Sequence, residues 1–219
     1  LFVTLLTLIL GYPVAYLLAT SPQRTASIMM IFVLLPFWTS LLVRTTAWMV
    51  LMTDGGVFAG LMHFTGVTWF LNLVGLLNGE PELFKTRFAT IVAMTHIQLP
   101  FTLLPIYSVM KTISPNYMRA AKSLGGKPFY CFLRVYMPQT LPGVAAGCLL
   151  TFILCLGYYI TPALVGGADG QLISNLIQFH MANSNWSLAA ALAAMLLAGV
   201  LVLYWLYDRL IGIDNLKLG

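Results

Sequence analysis

The sequence predicts an all-α integral membrane protein, a polytopic helix bundle that forms one transmembrane domain over residues 1–219. Composition is the first reason, because 60% of the residues are hydrophobic and 8% are charged. Soluble domains have roughly 45–50% apolar and about 25% charged residues, so the excess apolar surface must face lipid. The second reason is that apolar runs of about 20 residues, long enough to cross a bilayer as helices, recur along the chain. The third is that Lys and Arg concentrate in alternate loops between these runs, which is typical of a chain with a fixed orientation in the membrane.

Five segments have the length and apolar content of a span. They are residues 1–19, 28–52, 88–110, 143–164 and 188–207. Their connections are a short turn at 20–27, a polar and aromatic loop at 53–87, a basic loop at 111–142 and a glycine-rich loop at 165–187. The first apolar run is too long for the core of an ordinary signal peptide, so it is interpreted as a span.

The distribution of basic residues predicts the orientation of the chain. Eight Lys or Arg residues fall in the turn, the loop 111–142 and the tail after residue 207, whereas two fall in the opposite loops. The positive-inside rule therefore places the loop 111–142 and the C-terminus in the cytoplasm and residue 1 at the outer face. It also explains the net charge of +5 without nucleic-acid binding. Because an outer N-terminus with no charge of its own suggests a preceding span, we expect six spans in the full protein.

The outer loop 53–87 contains two apolar stretches, 57–64 and 67–77. Each is short enough to lie along the membrane interface as a helix, with Trp69 and the neighbouring Phe residues as headgroup anchors. Packing against a partner subunit is an equally good interpretation of these stretches.

The loop 111–142 carries the signals of two consecutive helices. Ser114 can cap a helix and Pro115 suits its first position. The stretch 116–124 favours a helix, and Gly125-Gly126 can supply a left-handed stop.

Pro128 then permits a second helix in the same loop. Its apolar positions are Phe129, Phe132, Leu133 and Tyr136. We expect Pro138 and Pro142 to end this helix before the next span, since proline interrupts a helix interior.

The spacing of small residues in this loop points to a known family. Ala120 and Ala121 are followed by three residues and Gly125, and nine further residues lead to Val135-Tyr136-Met137-Pro138. This pattern resembles the EAA loop of the permease subunits of bacterial binding-protein-dependent ABC importers. That loop reads Glu-Ala-Ala, three residues, Gly, nine residues, then Ile-x-Leu-Pro. Arg119 stands where the family usually has Glu.

The resemblance extends over nearly the whole chain and favours the spermidine/putrescine-type subfamily. The stretches that carry it are residues 35–38, 42–44, 47–48, 161–167, 175–178 and 185–186. These matches are rich in apolar residues and are less specific than the loop.

The resemblance implies a role for the loop in coupling. In this family the short helix, here residues 117–126, docks into a groove on a cytoplasmic ATPase, and closure of the ATPase pair rocks the permease between inward- and outward-facing states. The residues implied are Tyr117, Arg119, Ala120, Ala121, Leu124, Gly125, Gly126 and Pro138. The structural alternative is a basic loop attracted to anionic lipid, worth about 1 kcal/mol per Lys or Arg. That alternative explains the charge but not the spacing of Ala, Gly and Pro.

Several polar or aromatic residues inside the apolar segments are candidates for lining a translocation path. They are Arg44, Trp48, His96, Gln98, Tyr158, Tyr159 and Thr161. A charged side chain at mid-span costs at least about 2.5 kcal/mol, so Arg44 must face a partner group or water. His96 and Gln98 precede Pro100, where we expect a broken helix of the kind that lines a cavity. For all these residues, a structural role in tying helices together is the alternative.

The substrate is less clearly predicted. Relatives often have an acidic residue near the position of Tyr158, and its absence weakens a polyamine assignment. Tyrosine rings can still attract a cation, by roughly 0.5–2 kcal/mol.

The sequence also excludes some chemistry. The stretch Gly125-Gly126-Lys127-Pro128 fails as a P-loop because proline replaces the required Ser or Thr. Three unpaired cysteines and three scattered histidines show no metal-ligand spacing, and no catalytic constellation is present. We therefore expect a non-enzyme that binds no cofactor, with ATP and Mg²⁺ held by a separate ATPase.

The predicted protein is a permease subunit of an ATP-driven importer in a bacterial inner membrane, carrying a polyamine-like or related small polar solute. The resemblance implies as partners two ATPase subunits, a second homologous permease, an external solute-binding protein and membrane lipid. One alternative is a secondary transporter or channel, which predicts ionisable residues along the spans and an internal repeat. Another is a structural membrane subunit of an enzyme complex, which predicts cofactor ligands.

Overall fold

The computed structural model describes residues 1–53, 55–65, 83–168 and 170–211. Every regular element in these residues is helical, which confirms the all-α fold class. We label the helices α1 (Phe2–Thr20), α2 (Gln23–Leu34), α3 (Leu41–Met52), α4 (Val57–Phe64), α5 (Arg87–Thr112), α6 (Pro115–Ser123), α7 (Pro128–Gly157), α8 (Ile160–Val165), α9 (Ile173–Ala182) and α10 (Trp186–Ile211).

The described helices account for the predicted spans. Four of them, α1, α5, α7 and α10, are long and apolar enough to cross a membrane. The number rises to five if Gln23–Trp38 and α3 are counted together as one broken span. The short helix predicted at 57–64 is present as α4, and its position along the membrane interface stays a prediction. The second stretch, 67–77 with Trp69, lies outside the described residues.

The segment 28–52 is not one continuous helix as predicted. Helix α2 begins earlier, at Gln23, and is followed by a tight 3₁₀ turn at Leu35–Trp38. Pro36 lies in this turn, has no N–H to give to a helix, and accepts a hydrogen bond through its carbonyl from Thr39 Oγ1 (2.8 Å). Ser40 then takes an extended conformation before α3 begins. The break therefore follows from local proline chemistry.

The segment 128–164 departs from the prediction in the opposite direction. Helix α7 begins at Pro128 and continues through Pro138 and Pro142 to Gly157, so neither proline ends it. A π-helical turn at Phe132–Tyr136 ends two residues before Pro138. In such a turn each carbonyl pairs with the N–H five residues on, which accommodates the donor that Pro138 lacks. The carbonyl of Val135, in the same turn, accepts a hydrogen bond from the side chain of Gln139 (Nε2, 2.6 Å).

Other boundaries also differ from the sequence prediction. Helix α5 is continuous through Pro100 and Pro105, so the expected break before Pro100 is wrong. The span predicted to reach residue 164 ends at Gly157, and α8 forms a separate short helix. The glycine-rich loop 165–187 contains α9.

The chain divides into two compact units. Unit 1 consists of Leu1–Leu35, Gln98–Cys155 and the described residues from Leu197 onward. Its buried core is formed by Ala15, Leu18, Leu103, Ile106, Met110 and Tyr136.

Two glycines let α7 approach α5 closely within unit 1. A Cβ atom at Gly147 would lie 2.6 Å from the carbonyl oxygen of Thr102, and one at Gly143 would lie 2.9 Å from that of Pro105. Gly143 and Gly147 form a Gly-x-x-x-Gly pattern, which favours close packing of membrane helices. The contact makes α5 and α7 one tightly packed pair.

Unit 2 consists of Pro36–Ile97 and Leu156–Leu196. Its buried core is formed by Met52, Leu83, Ala89, Ala93 and Val165. Helix α8 packs on α3, where Thr45 Oγ1 and Thr161 Oγ1 form a buried hydrogen bond of 3.1 Å.

Candidate functional site

Helix α6 starts at a capped position, as the sequence predicts. The Ser114 side chain accepts a hydrogen bond from the N–H of Asn116 (3.4 Å), and Pro115 occupies the first turn. A side-chain oxygen at this position satisfies one of the free N–H groups that every helix start leaves. The start of the helix is therefore marked by local side-chain chemistry.

The end of α6 is equally well defined. The N–H of Gly126 donates to the carbonyl of Ala121 (3.2 Å), and the N–H of Gly125 donates to that of Lys122 (2.9 Å). This pair of hydrogen bonds is a Schellman motif. Gly125 has a φ of +84°, in the left-handed region that favours glycine. The predicted stop is therefore present, and it fixes the backbone around Leu124.

Most of the α6 surface is free. None of its residues is buried, and Met118 is the one that packs against the core of unit 1. Residues along a helix turn by about 100° per position, so the side opposite Met118 carries Asn116 and Tyr117 in the first half of the helix. In the second half it carries Arg119, Ala120, Ser123 and Leu124. Ala120 and Ser123 lie at the centre of this side, and Arg119 and Leu124 lie at its two edges. We call these four residues the docking face.

Leu124 is the most exposed apolar residue of the loop. Its side chain is 90% exposed, and that of Tyr117, two turns earlier on the same side of the helix, is 55% exposed. Ala120 is exposed and Ala121 is half-buried. Pro138 is the remaining predicted coupling residue. It is exposed on α7, two residues after the π-helical turn ends at Tyr136.

An aromatic cluster joins the start of α7 to α1 within unit 1. Phe132 and Tyr136 each meet the ring of Tyr16 edge-on at 5.4 Å between centroids. Tyr12 extends the cluster, meeting Phe132 at 6.4 Å and pairing its hydroxyl with Thr140 Oγ1 at 3.1 Å. Such aromatic pairs are worth about 0.5–1.5 kcal/mol each beyond their buried area. The cluster anchors the start of α7 to the first helix, and Met118 packs α6 against the same core.

Three of the predicted path residues lie together in unit 2. Trp48 Nε1 donates a hydrogen bond to His96 Nδ1 (3.2 Å), and the two rings meet edge-on at 5.5 Å. Arg44 lies one turn before Trp48 on α3 and is half-buried. Its buried Nε has no hydrogen-bond partner among the described residues. His96 is exposed, so this group is accessible from one side.

The other predicted path residues of unit 2 have structural contacts. Thr161 is fully buried and is paired with Thr45. The carbonyls of Tyr158 and Tyr159 accept hydrogen bonds from Ser174 Oγ and Asn175 Nδ2, which tie them to α9. The ring of Tyr159 remains 44% exposed.

Gln98 lies in unit 1 and is fully buried. Its Nε2 is 3.8 Å from the sulfur of Cys155, and its Oε1 has no hydrogen-bond partner among the described residues. Buried side-chain oxygens in proteins normally have a hydrogen-bond donor, so this amide oxygen is an exception.

Sequence reasoning missed a buried threonine cluster in unit 1. Thr102 Oγ1 donates to Thr7 Oγ1 (2.9 Å) and is 2.6 Å from Thr151 Oγ1, so three helices share one polar contact. Hydroxyls of this kind link membrane helices. The nearby Gly143-x-x-x-Gly147 pattern could have predicted close helix packing from the sequence. The three threonines could not have been paired in this way, because they are too far apart in the chain.

Comparison with known proteins places the chain among transport proteins. Residues 8–211 match the model of a family described as the inner membrane component of binding-protein-dependent transport systems. The spermidine/putrescine transport system permease protein PotB of Salmonella typhimurium SL1344 is 31% identical over 216 residues, which are 97% of this chain and 72% of that protein. PotB of Escherichia coli K12 is also 31% identical over 216 residues, 75% of its length. The inner membrane ABC transporter permease protein YdcU of Escherichia coli K12 is 32% identical over 195 residues, 86% of this chain and 61% of that protein. These similarities confirm the resemblance read from the loop 111–142 and from the apolar stretches.

Proposed function

Because the chain belongs to the family of inner membrane components of binding-protein-dependent transport systems, we propose that it couples ATP hydrolysis on a partner to the import of a polyamine-like solute. As a member of this family it is a multi-pass inner membrane permease subunit and not an enzyme. The proposal adds the direction of transport, the energy source and the class of solute.

The observation that carries the proposal is the geometry of α6. It is a helix with a capped start and a Schellman stop, and it has no buried residue. A helix of nine residues is only marginally stable on its own. The contacts at its two ends stabilise it, which is what a helix needs if it is to present a defined surface to another protein. We propose that this surface docks on a cytoplasmic ATPase subunit.

The remaining partners follow from the same family membership. We propose that a second homologous permease completes the path, that two ATPase subunits bind ATP and Mg²⁺, and that an external binding protein delivers the solute. The loop 111–142 and the C-terminus are proposed to be cytoplasmic because they hold most of the basic residues.

The names of the PotB relatives favour spermidine or putrescine as the solute class. The group formed by Arg44, Trp48 and His96 offers an aromatic face beside a permanent positive charge. A positive charge repels a polycation, so we propose that selection for the cation rests mainly with the external binding protein. The role of Arg44, Trp48, His96, Gln98, Tyr158, Tyr159 and Thr161 in the path is part of this proposal.

Reconstitution tests the proposed function. The complete complex in proteoliposomes is expected to accumulate labelled spermidine only when both ATP and the binding protein are present. Accumulation that is unchanged without ATP would overturn the proposal in favour of a secondary transporter.

Variants in α6 test the coupling step. Ala120→Trp places a large ring at the centre of the docking face and is expected to abolish co-purification with the ATPase. Lys122→Trp is the matched control, because Lys122 lies beside Met118, outside the docking face, and is also exposed. Equal association of both variants with the ATPase would rule out docking through this face.

A further inference from the structure

The docking face has a distinctive chemistry. Its centre is formed by the small residues Ala120 and Ser123, one edge is the 90% exposed Leu124, and the other edge is the exposed Arg119. A partner can therefore approach closest at the centre, while a long side chain reaches out on each side. A partner that binds this face must therefore be complementary to it in shape as well as in charge.

The position of Leu124 is held by the backbone. Its N–H donates to the carbonyl of Ala120 (3.1 Å), and the Schellman motif follows immediately. An apolar side chain fixed in water is stabilised when a partner covers it, because apolar area removed from water is favourable. Leu124 is therefore suited to enter an apolar socket on the partner.

Arg119 is the only charged residue of the docking face. Its carbonyl accepts a hydrogen bond from Ser123 Oγ (3.1 Å), and its guanidinium has no partner among the described residues. By contrast, Lys111 and Arg134 lie over the rings of Tyr107 and Tyr130, each at 5.9 Å. The loop 111–142 contains no Asp or Glu that could neutralise Arg119. A guanidinium presents a fork of donors that matches a carboxylate in two parallel hydrogen bonds.

We propose that the ATPase surface that receives α6 carries an Asp or Glu opposite Arg119, next to an apolar socket for Leu124. The inference rests on the proposed function, since it describes the partner of the same docking face. It also predicts that only one of the two basic residues of α6 matters. Lys122 lies beside Met118, outside the docking face, whereas Arg119 lies on its edge.

This asymmetry separates a carboxylate partner from the membrane surface. Anionic lipid attracts every Lys and Arg near the surface to a similar extent, since the interaction is not specific to one position. A paired carboxylate discriminates between Arg119 and Lys122, because it is reached by one of them only. The same charge reversal made at each of the two positions therefore distinguishes the two sources of negative charge.

The test uses the intact permease complex in detergent and the ATPase subunit with which it co-purifies. Arg119→Glu is expected to weaken ATPase binding by about tenfold or more at low salt, since juxtaposed like charges oppose association. Lys122→Glu is the matched control and is expected to change binding by less than about twofold, because Lys122 lies outside the docking face and opposes no paired charge. Arg119→Lys keeps the positive charge but cannot make the two parallel hydrogen bonds of a guanidinium. We therefore expect it to bind the ATPase with an affinity between those of the unmodified chain and Arg119→Glu.

The outcomes separate this inference from the proposed function. Equal weakening by Arg119→Glu and Lys122→Glu would overturn the carboxylate partner, and so would no weakening by either. If Leu124→Ala and Ala120→Trp still weaken ATPase binding in that case, the proposal that α6 docks on the ATPase is retained. Only the proposed carboxylate opposite Arg119 is then wrong. If these two variants bind normally as well, the proposed docking itself is wrong. Arg119→Glu is at an exposed site, so a single peak in size-exclusion chromatography is expected to show that it folds.

Discussion

At the scale of the residue, the two glycines that end α6 have different physical roles although they are adjacent. Gly125 is required by its positive φ and not by crowding, because no atom lies within 4 Å of the point that a Cβ would occupy there. Gly126 is required by close approach, since a Cβ there would lie 2.9 Å from the carbonyl of Ala121 and 2.5 Å from the sulfur of Cys131. The first glycine turns the chain, and the second lets the turn pack on itself.

This difference predicts different responses to alanine. Gly125→Ala is expected to cost about 1–2 kcal/mol locally, because a left-handed alanine is strained. Gly126→Ala is expected to cost about 1–3 kcal/mol, as overpacking does, and to be partly restored by a second change, Cys131→Ala. Hydrogen exchange at the α6 amides measures both effects, and no restoration by Cys131→Ala would contradict the assignment for Gly126.

The threonine cluster of unit 1 gives a second prediction at the residue scale. Thr102→Val removes one hydroxyl that contacts two others, Thr7 and Thr151, and keeps nearly the same shape. We expect the free energy of unfolding in mixed micelles to fall by about 1–2 kcal/mol, because two buried hydroxyls lose a partner. Thr112→Val is the control, since that hydroxyl is exposed and bonds only to the carbonyl of Val109 in its own turn. Equal effects of the two substitutions would show that the cluster is not stabilising.

At the scale of the element, α7 shows that a long membrane helix can continue through prolines at which the sequence predicts that it ends. It passes Pro138 after a π-helical turn and continues to Gly157, with its first turns held by the aromatic cluster around Tyr16. Its middle is held by close packing of Gly143 and Gly147 on α5. Tertiary contacts, and not local propensity, therefore decide the length of this helix.

The packing of α7 on α5 predicts the effect of alanine at Gly147. The added methyl group would meet the carbonyl of Thr102 at 2.6 Å, and backbone cannot move aside as a flexible side chain can. We expect a loss of about 1–3 kcal/mol in the free energy of unfolding. Gly199→Ala in α10 is the control, because nothing lies within 4 Å of the point that its Cβ would occupy. That change is expected to be neutral or to stabilise the helix by about 0.5–1 kcal/mol.

Features of the fold that local chemistry decides could be predicted from the sequence, and features that helix packing decides could not. The start of α6 at Ser114-Pro115 and its stop at Gly125 were predicted correctly, because capping and left-handed backbone are local chemistry. The ends expected at Pro138 and Pro142 were wrong, because neighbouring helices support a chain that a proline would otherwise break. The hydrogen bond between Thr45 and Thr161 joins residues 116 positions apart, so no local pattern could reveal it.

At the scale of the whole molecule, α10 differs from the other spans. It is long and apolar enough to cross a membrane, yet only 6% of its most apolar stretch is buried in the chain. Exposed apolar residues along it include Leu197, Leu201 and Trp205. In a permease that works with partner subunits, such a helix is available for lipid or for a second membrane subunit. By contrast, 61% of the corresponding stretch of α5 is buried, so that helix is enclosed by its own chain.

The orientation of the whole chain gives the last prediction. The loop 111–142 holds five of the eleven Lys and Arg residues, so the positive-inside rule predicts that it lies in the cytoplasm and that the segment around Lys85 lies outside. Both Lys85 and Lys127 are exposed, so a cysteine at either position is accessible to a reagent on its own side of the membrane. A membrane-impermeant thiol reagent is expected to label Lys85→Cys in intact spheroplasts and Lys127→Cys only in inside-out vesicles. The unmodified chain is the blank, because Cys131 is buried and Cys148 and Cys155 are partly buried within α7. Labelling of Lys127→Cys from the outside would reverse the orientation, and α6 would then lie on the wrong side of the membrane to meet an ATPase.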